Sequence, residues 1–151
     1  MSQGGDGIDL ETSLGYLLKE ASSALRAAME EVLRPLGMSV THYSCLELLA
    51  QRPGLSNSEL ARGAFVTRQS MNVLVQTLER DGYVTRPAEA AVGKVLPAQL
   101  TPRGRRSLEE ASAAVRSVEL RMLAGLTGTE QAGVTRALQR MTRALRDGAG
   151  T

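Results

Sequence analysis

The stretch Ser56–Arg86, SNSELARGAFVTRQSMNVLVQTLERDGYVTR, decides the fold. Ser56-Asn57-Ser58-Glu59 is a capping box, in which the Ser56 hydroxyl and the Glu59 carboxylate satisfy each other's backbone N–H groups. It opens a short helix through Leu60 and Ala61 to about Arg62, with Gly63 as its expected breaker. Thr67 then serves as N-cap of a further helix that stops at Asp81-Gly82. In that helix Met71, Leu74, Val75 and Leu78 recur at helical spacing and face a core. A short helix, a tight glycine-containing turn and an amphipathic helix make a helix-turn-helix.

The opposite face of the second of these helices carries Arg68, Gln69, Asn72, Val73 and Gln76, with no acid until Glu79. Arg pairs with guanine edges, Asn and Gln pair with adenine, and the Val73 methyls suit thymine. Thr67 and Ser70 sit at the helix N-terminus, where hydroxyls and the helix dipole favour phosphate. This face is therefore expected to read double-stranded DNA.

Downstream, Tyr83–Arg86 reads as a strand and Val95–Leu100 as its partner, with Pro97 tolerable only at an edge. The pair predicts a small β-hairpin wing. Arg86 at its base and Lys94 near its tip are expected beside the duplex backbone, at phosphates or the minor groove. Thr101 and Pro102, as N-cap and first helical residue, start another helix. It carries Leu108, Ala111, Val115, Val118 and Met122 on one face and is interrupted at Gly125. Thr127 and Glu130 form a second capping box, opening a last helix with Val134, Leu138, Met141 and Leu145 on one stripe.

Upstream, a helix is predicted from Thr41, as cap, to about Gln51, where Pro53-Gly54 forces a turn. Before it, Leu10, Leu14, Leu17, Leu18, Ala21, Leu25, Met29, Val32 and Leu33 recur at three- and four-residue steps. They predict one long helix from Ile8, broken near Pro35 and Gly37. The expected fold is mainly α with a small β-hairpin wing. A winged helix-turn-helix lobe (38–101) lies between long helical segments (8–36 and 102–146).

Composition narrows the function. The chain has 151 residues, the length of one domain or subunit. Its single cysteine, Cys45, excludes an internal disulfide scaffold, and no apolar run reaches the roughly 18 residues of a membrane span. The terminus carries no signal-peptide pattern, so a soluble cytoplasmic protein without membrane partners is expected. Net charge is only +2, yet residues 1–31 hold six acids against two bases, and residues 52–106 nine bases against four acids. A positive central block implies a polyanionic partner. There is no Gly-rich phosphate loop, no paired-cysteine spacing, and one histidine alone. Neither a metal, a cofactor nor an enzymatic activity is expected.

Glu59-Leu60-Ala61, the run Leu78-Glu79-Arg80-Asp81-Gly82-Tyr83-Val84, and Leu100-Thr101-Pro102-Arg103-Gly104 together resemble the winged helix-turn-helix core of MarR-type transcriptional regulators. The flanking helices extend the resemblance over nearly the whole chain. It implies an obligate homodimer built from the first and last helices. Each subunit would set its recognition helix, about Thr67 to Arg80, in the major groove of a palindromic operator. It also implies a small phenolic or anionic effector bound between the dimerisation helices and the DNA-binding lobe, with Tyr16, His42, Tyr43 and Cys45 as candidate contacts. Cys45 itself reads as a small buried hydrophobe, since peroxide sensors of the family place their reactive cysteine in the first helix. The wing departs from the family: Val92-Gly93-Lys94 keeps a basic residue but lacks the usual preceding Asp. A lysine is a point charge without the rigid fork of arginine, so the wing's grip on DNA is expected to be weaker. That departure leaves a competing class, a winged-helix protein-interaction module with little operator binding. Of the two, a DNA-binding repressor released by an effector fits more of the residues.

Overall fold

A computed structural model describes residues 6–86 and 97–148. In chain order the elements are α1 (Leu14–Leu33), a short 3-10 turn (Arg34–Leu36), α2 (Val40–Gln51), α3 (Asn57–Ala64), α4 (Arg68–Arg80), β1 (Val84–Thr85), β2 (Gln99–Leu100), α5 (Pro102–Leu123) and α6 (Gly128–Gly148). The protein is mainly helical, as the sequence predicts. β1 and β2 pair antiparallel in the register Val84–Leu100 and Thr85–Gln99. The chain divides into two compact units, Met1–Arg116 and Ser117–Thr151, with the division falling inside α5.

In the first unit, Leu33, Leu46, Leu60, Met71, Val75, Leu78 and Val84 are all at most 2% exposed and form one core with Cys45, Leu100, Leu108 and Ala111. Each side chain of this size contributes about 1.5–3 kcal/mol through burial. The inward stripe expected of α4 is thus seen, with Leu74 packed at the core's margin. Both halves of the Ser56–Glu59 capping box are made: Glu59 N–H donates to Ser56 Oγ at 3.2 Å, and Ser56 N–H to Glu59 Oε1 at 2.9 Å. The Ser56 bonds hold the Glu59 carboxyl below the usual carboxylate range.

Several sequence expectations need correction. α1 begins at Leu14, not Ile8. Asp9 takes the chain into a turn first, its side chain accepting from Glu11 N–H at 3.1 Å and its carbonyl from Ser13 N–H at 2.8 Å. Ser13 then caps the helix through Tyr16 N–H. A short side chain that bonds its own backbone competes with helix, and here it wins. α2 is capped by Ser39 rather than Thr41, with His42 N–H donating to Ser39 Oγ at 3.1 Å. α3 runs through Gly63 to Ala64.

Gly63 is a packing residue: a methyl there would stand 3.0 Å from Leu48 Cδ1. The turn is made instead by Phe65, held left-handed at φ 61° and 85% exposed. β1 and β2 are two residues each, so Tyr83, Arg86, Pro97 and Ala98 fall outside them, while Val95 and Leu96 lie outside the described residues.

The junction of β1, β2 and α5 is tied by one residue. Thr101 N–H donates to Tyr83 O at 3.1 Å. Its hydroxyl proton is shared between Gly82 O (2.6 Å) and Tyr83 O (3.2 Å), and its oxygen accepts from Gly104 N–H at 3.0 Å. Gly104 is required here, because a methyl on it would stand 3.1 Å from the Tyr83 carbonyl carbon and closer still to the oxygen. The end of α4 is thereby fastened to the start of α5.

In the second unit, Thr127 and Glu130 make the expected capping box at 2.9 and 3.1 Å. Gln131 Nε2 closes the turn before α6 by donating to Leu126 O at 3.1 Å.

Candidate nucleic-acid interface

α4 is built to expose one polar face. Thr67 Oγ1 accepts from Ser70 N–H at 3.0 Å and donates to Ser70 Oγ at 2.9 Å, so the two hydroxyls expected at the helix N-terminus are paired there. Arg68, Gln69, Asn72, Val73 and Gln76 are all exposed, while Met71 and Val75 between them are fully buried. The amphipathic split is complete along the helix.

Two contacts tie this face to α3. Arg68 Nη1 donates to Ser58 Oγ at 3.4 Å, and Asn57 Nδ2 donates to Asn72 Oδ1 at 2.9 Å. Arg86, just past β1, joins the same cluster: its Nη2 donates to Asn57 Oδ1 at 3.2 Å, and its Nε is buried without a partner among the described residues. Together they border a cleft of about 370 Å³ whose lining includes Asn57, Ser58, Arg68, Asn72, Gln76 and Arg86. Sequence reasoning named Arg68, Asn72, Gln76 and Arg86 but missed Asn57 and Ser58. Their only signal was their place inside the capping box, which says nothing of partners 10, 15 and 29 residues away. Val92, Gly93 and Lys94 lie outside the described residues.

The candidate effector residues are spread in depth. Tyr16 is 41% exposed on α1, His42 and Tyr43 are half-buried on α2, and Cys45 is fully buried in the core. Burial pushes the Cys45 thiol up to about 12, consistent with an inert packing group. The His42 ring stands edge-on to Tyr83 with centroids 5.2 Å apart, and its Nε2 is buried without a partner among the described residues. Burial lowers the His42 pKa, with Asp81 opposing. Arg103 also packs on Tyr83, its guanidinium 4.7 Å from the Tyr83 centroid and donating to the Tyr83 hydroxyl at 3.2 Å. Among the described residues, no cluster of three or more His, Cys, Asp or Glu could hold a metal ion. No helix there is long and apolar enough to cross a membrane.

Comparison with known proteins places this geometry. The model of the MarR family matches residues 36–94, a range that includes α2, α3, α4 and β1. The HTH-type transcriptional repressor Rv2887 of Mycobacterium tuberculosis is 43% identical over 135 residues, covering 89% of this chain and 97% of the relative. The chain belongs to the MarR family. Two crystal structures of the M. tuberculosis MarR family protein Rv2887 superpose on it. The complex with DNA does so with TM-score 0.70 at 40% identity, over 86% of this chain and 98% of that one. The complex with salicylic acid gives TM-score 0.73 at 44% identity, over 86% and 96%. In this MarR-family chain the helix-turn-helix is α3, the Phe65 turn and α4, and the antiparallel pair β1–β2 follows it.

Proposed function

We propose that the protein is a dimeric, sequence-specific DNA-binding transcriptional repressor, acting in the cytoplasm and released from a pseudo-palindromic operator by a small aromatic acid. The observation that carries this is the solvent face of α4, where Arg68, Gln69, Asn72, Val73 and Gln76 stand exposed without an acid among them. The DNA complex of a relative at 40% identity supports it. In this reading Arg68, Gln69, Asn72, Val73 and Gln76 meet base edges, Thr67 and Ser70 meet phosphate, and Arg86 and Lys94 meet the backbone beside the wing.

Residues 38–101 form the DNA-binding lobe, and 8–36 with 102–146 the dimerisation segments. Support comes from the apolar side chains left in solvent on both segments: Ile8, Leu10, Leu14, Leu17 and Leu18 on the first, Val134, Leu138 and Leu145 on the last. Apolar exposure of this extent is rare on a monomer, and a second copy covers it in a two-fold dimer. Half-site centres then lie about 10 base pairs apart, or a near multiple. The complex of the relative with salicylic acid supports a phenolic acid as effector, with Tyr16, His42, Tyr43 and the buried Cys45 as its candidate contacts. We assign the protein no catalytic reaction.

Salt titration of binding to duplex DNA tests the reading. A dimer making about six to eight phosphate contacts loses affinity with a log–log slope of about −5 to −7. A slope near zero would favour a protein-interaction module instead.

A further inference from the structure

We infer that Asn57, which lies outside the exposed face of α4, sets the base preference of that face by fixing which end of the Asn72 amide points outward. A guanidinium has five N–H donors and no acceptor, so the atom of Asn57 that meets Arg86 Nη2 at 3.2 Å must be its oxygen, Oδ1. The Asn57 nitrogen is thereby turned the other way, where it donates to Asn72 at 2.9 Å. A donor there requires the Asn72 oxygen to face Asn57. The Asn72 amide therefore offers its NH2 to the outside. One fixed cation at the base of the wing determines the polarity of an amide on the recognition helix, through one intervening asparagine.

The consequence is a change in what Asn72 reads. The bidentate adenine contact needs an amide that accepts from N6 and donates to N7. With its oxygen turned to Asn57, Asn72 acts on DNA as a donor and prefers acceptor edges: guanine O6 and N7, or thymine O4. Asn57 is a positioning residue and Arg86 has a second task besides meeting phosphate. Arg68, held to Ser58 on the same helix as Asn57, borders the same cleft.

This rests on the reading that α4 enters the major groove, and the test separates the two. Duplexes are selected from a random pool by the full-length protein, by Asn57→Asp, by Asn57→Ala and by Asn72→Ala. A carboxylate accepts from Arg86 and from Asn72 alike, so Asn57→Asp must rotate the Asn72 amide and present its oxygen. An Asp at the first position of a helix is also favourable to the fold. The parent is expected to prefer guanine or thymine by about tenfold at one position per half-site. That preference should pass to adenine or cytosine in Asn57→Asp, weaken without passing over in Asn57→Ala, and vanish in Asn72→Ala. A merely structural role for Asn57 would lower affinity at every position and exchange none. If the parent selects a site but Asn57→Asp selects the same bases, the relay is refuted while the function stands. If the parent selects no site at all, the function itself is refuted and the relay with it.

Discussion

Replacing Gly104 by Ala should loosen the joint between the recognition helix and α5. On helix propensity alone, Ala at this position gains about 1 kcal/mol over Gly. Against this, the new methyl would overlap the Tyr83 carbonyl and stand 3.4 Å from Leu100 Cδ2. Backbone does not yield as a flexible side chain does, so β1 and the start of α5 must separate. The bonds at risk are Thr101 N–H to Tyr83 O, the Thr101 hydroxyl to Gly82 O and Tyr83 O, and Gly104 N–H to Thr101 Oγ1. Losing three of these at about 1 kcal/mol each, with overpacking of about 1–3 kcal/mol, gives a net destabilisation of about 3–5 kcal/mol after the propensity gain. For a chain of this size the melting temperature falls by about 6–20 °C. The assay is urea and thermal unfolding followed by far-UV circular dichroism at fixed protein concentration, since a dimer's stability depends on it. Gly133→Ala on α6 is the control: a methyl there meets nothing within 4 Å, so it should stabilise by up to about 1 kcal/mol. Equal stabilisation by both substitutions would refute the close approach at Gly104.

Three further outcomes follow from local geometry. Phe65→Asn should raise stability by about 0.5–1 kcal/mol, because Phe65 is left-handed and 85% exposed, and Asn tolerates that conformation better; a loss on urea unfolding would contradict it. Cys45, with its thiol pushed up to about 12 by burial, should react with a thiol reagent at neutral pH only after unfolding; rapid stoichiometric labelling of the native protein would contradict it. His42 has its pKa lowered by burial, so the folded state binds fewer protons than the unfolded one below the ordinary imidazole value of about 6.5. Its stabilising effect is present above that value and lost as pH falls through it, so His42→Gln should flatten the acid limb of the stability curve, and parallel limbs would contradict this.

Much of this protein is legible in its sequence because its helices are bounded by short-range chemistry. Ser56 and Glu59, Thr67 before the Met71–Leu78 stripe, and Thr127 and Glu130 state their geometry within four residues, and each forms as read. The misreadings arise where two short-range signals compete. Ile8 and Leu10 keep the helical rhythm, yet Asp9 diverts its own backbone into a turn. Gly63 has the composition of a breaker, but it sits inside α3 packed close to Leu48, and Phe65 makes the turn. The polar face of α4 follows from periodicity alone. Its supports do not: Asn57 meets partners 15 and 29 residues away, and Thr101 reaches back 18 and 19 residues to hold β1. Only the folded chain brings such pairs together.

The central claim is that α4 reads bases, and paired binding isotherms test it most directly. Parent, Gln69→Ala and Asn72→Ala are each titrated against the selected operator and against a scrambled duplex of equal length, at two salt concentrations. Each substitution should cost about 1–3 kcal/mol on the operator. It should cost little on the scrambled duplex, where attraction to phosphate dominates. Operator affinity unchanged from the parent in both variants would contradict the account and remove α4 as the reading element.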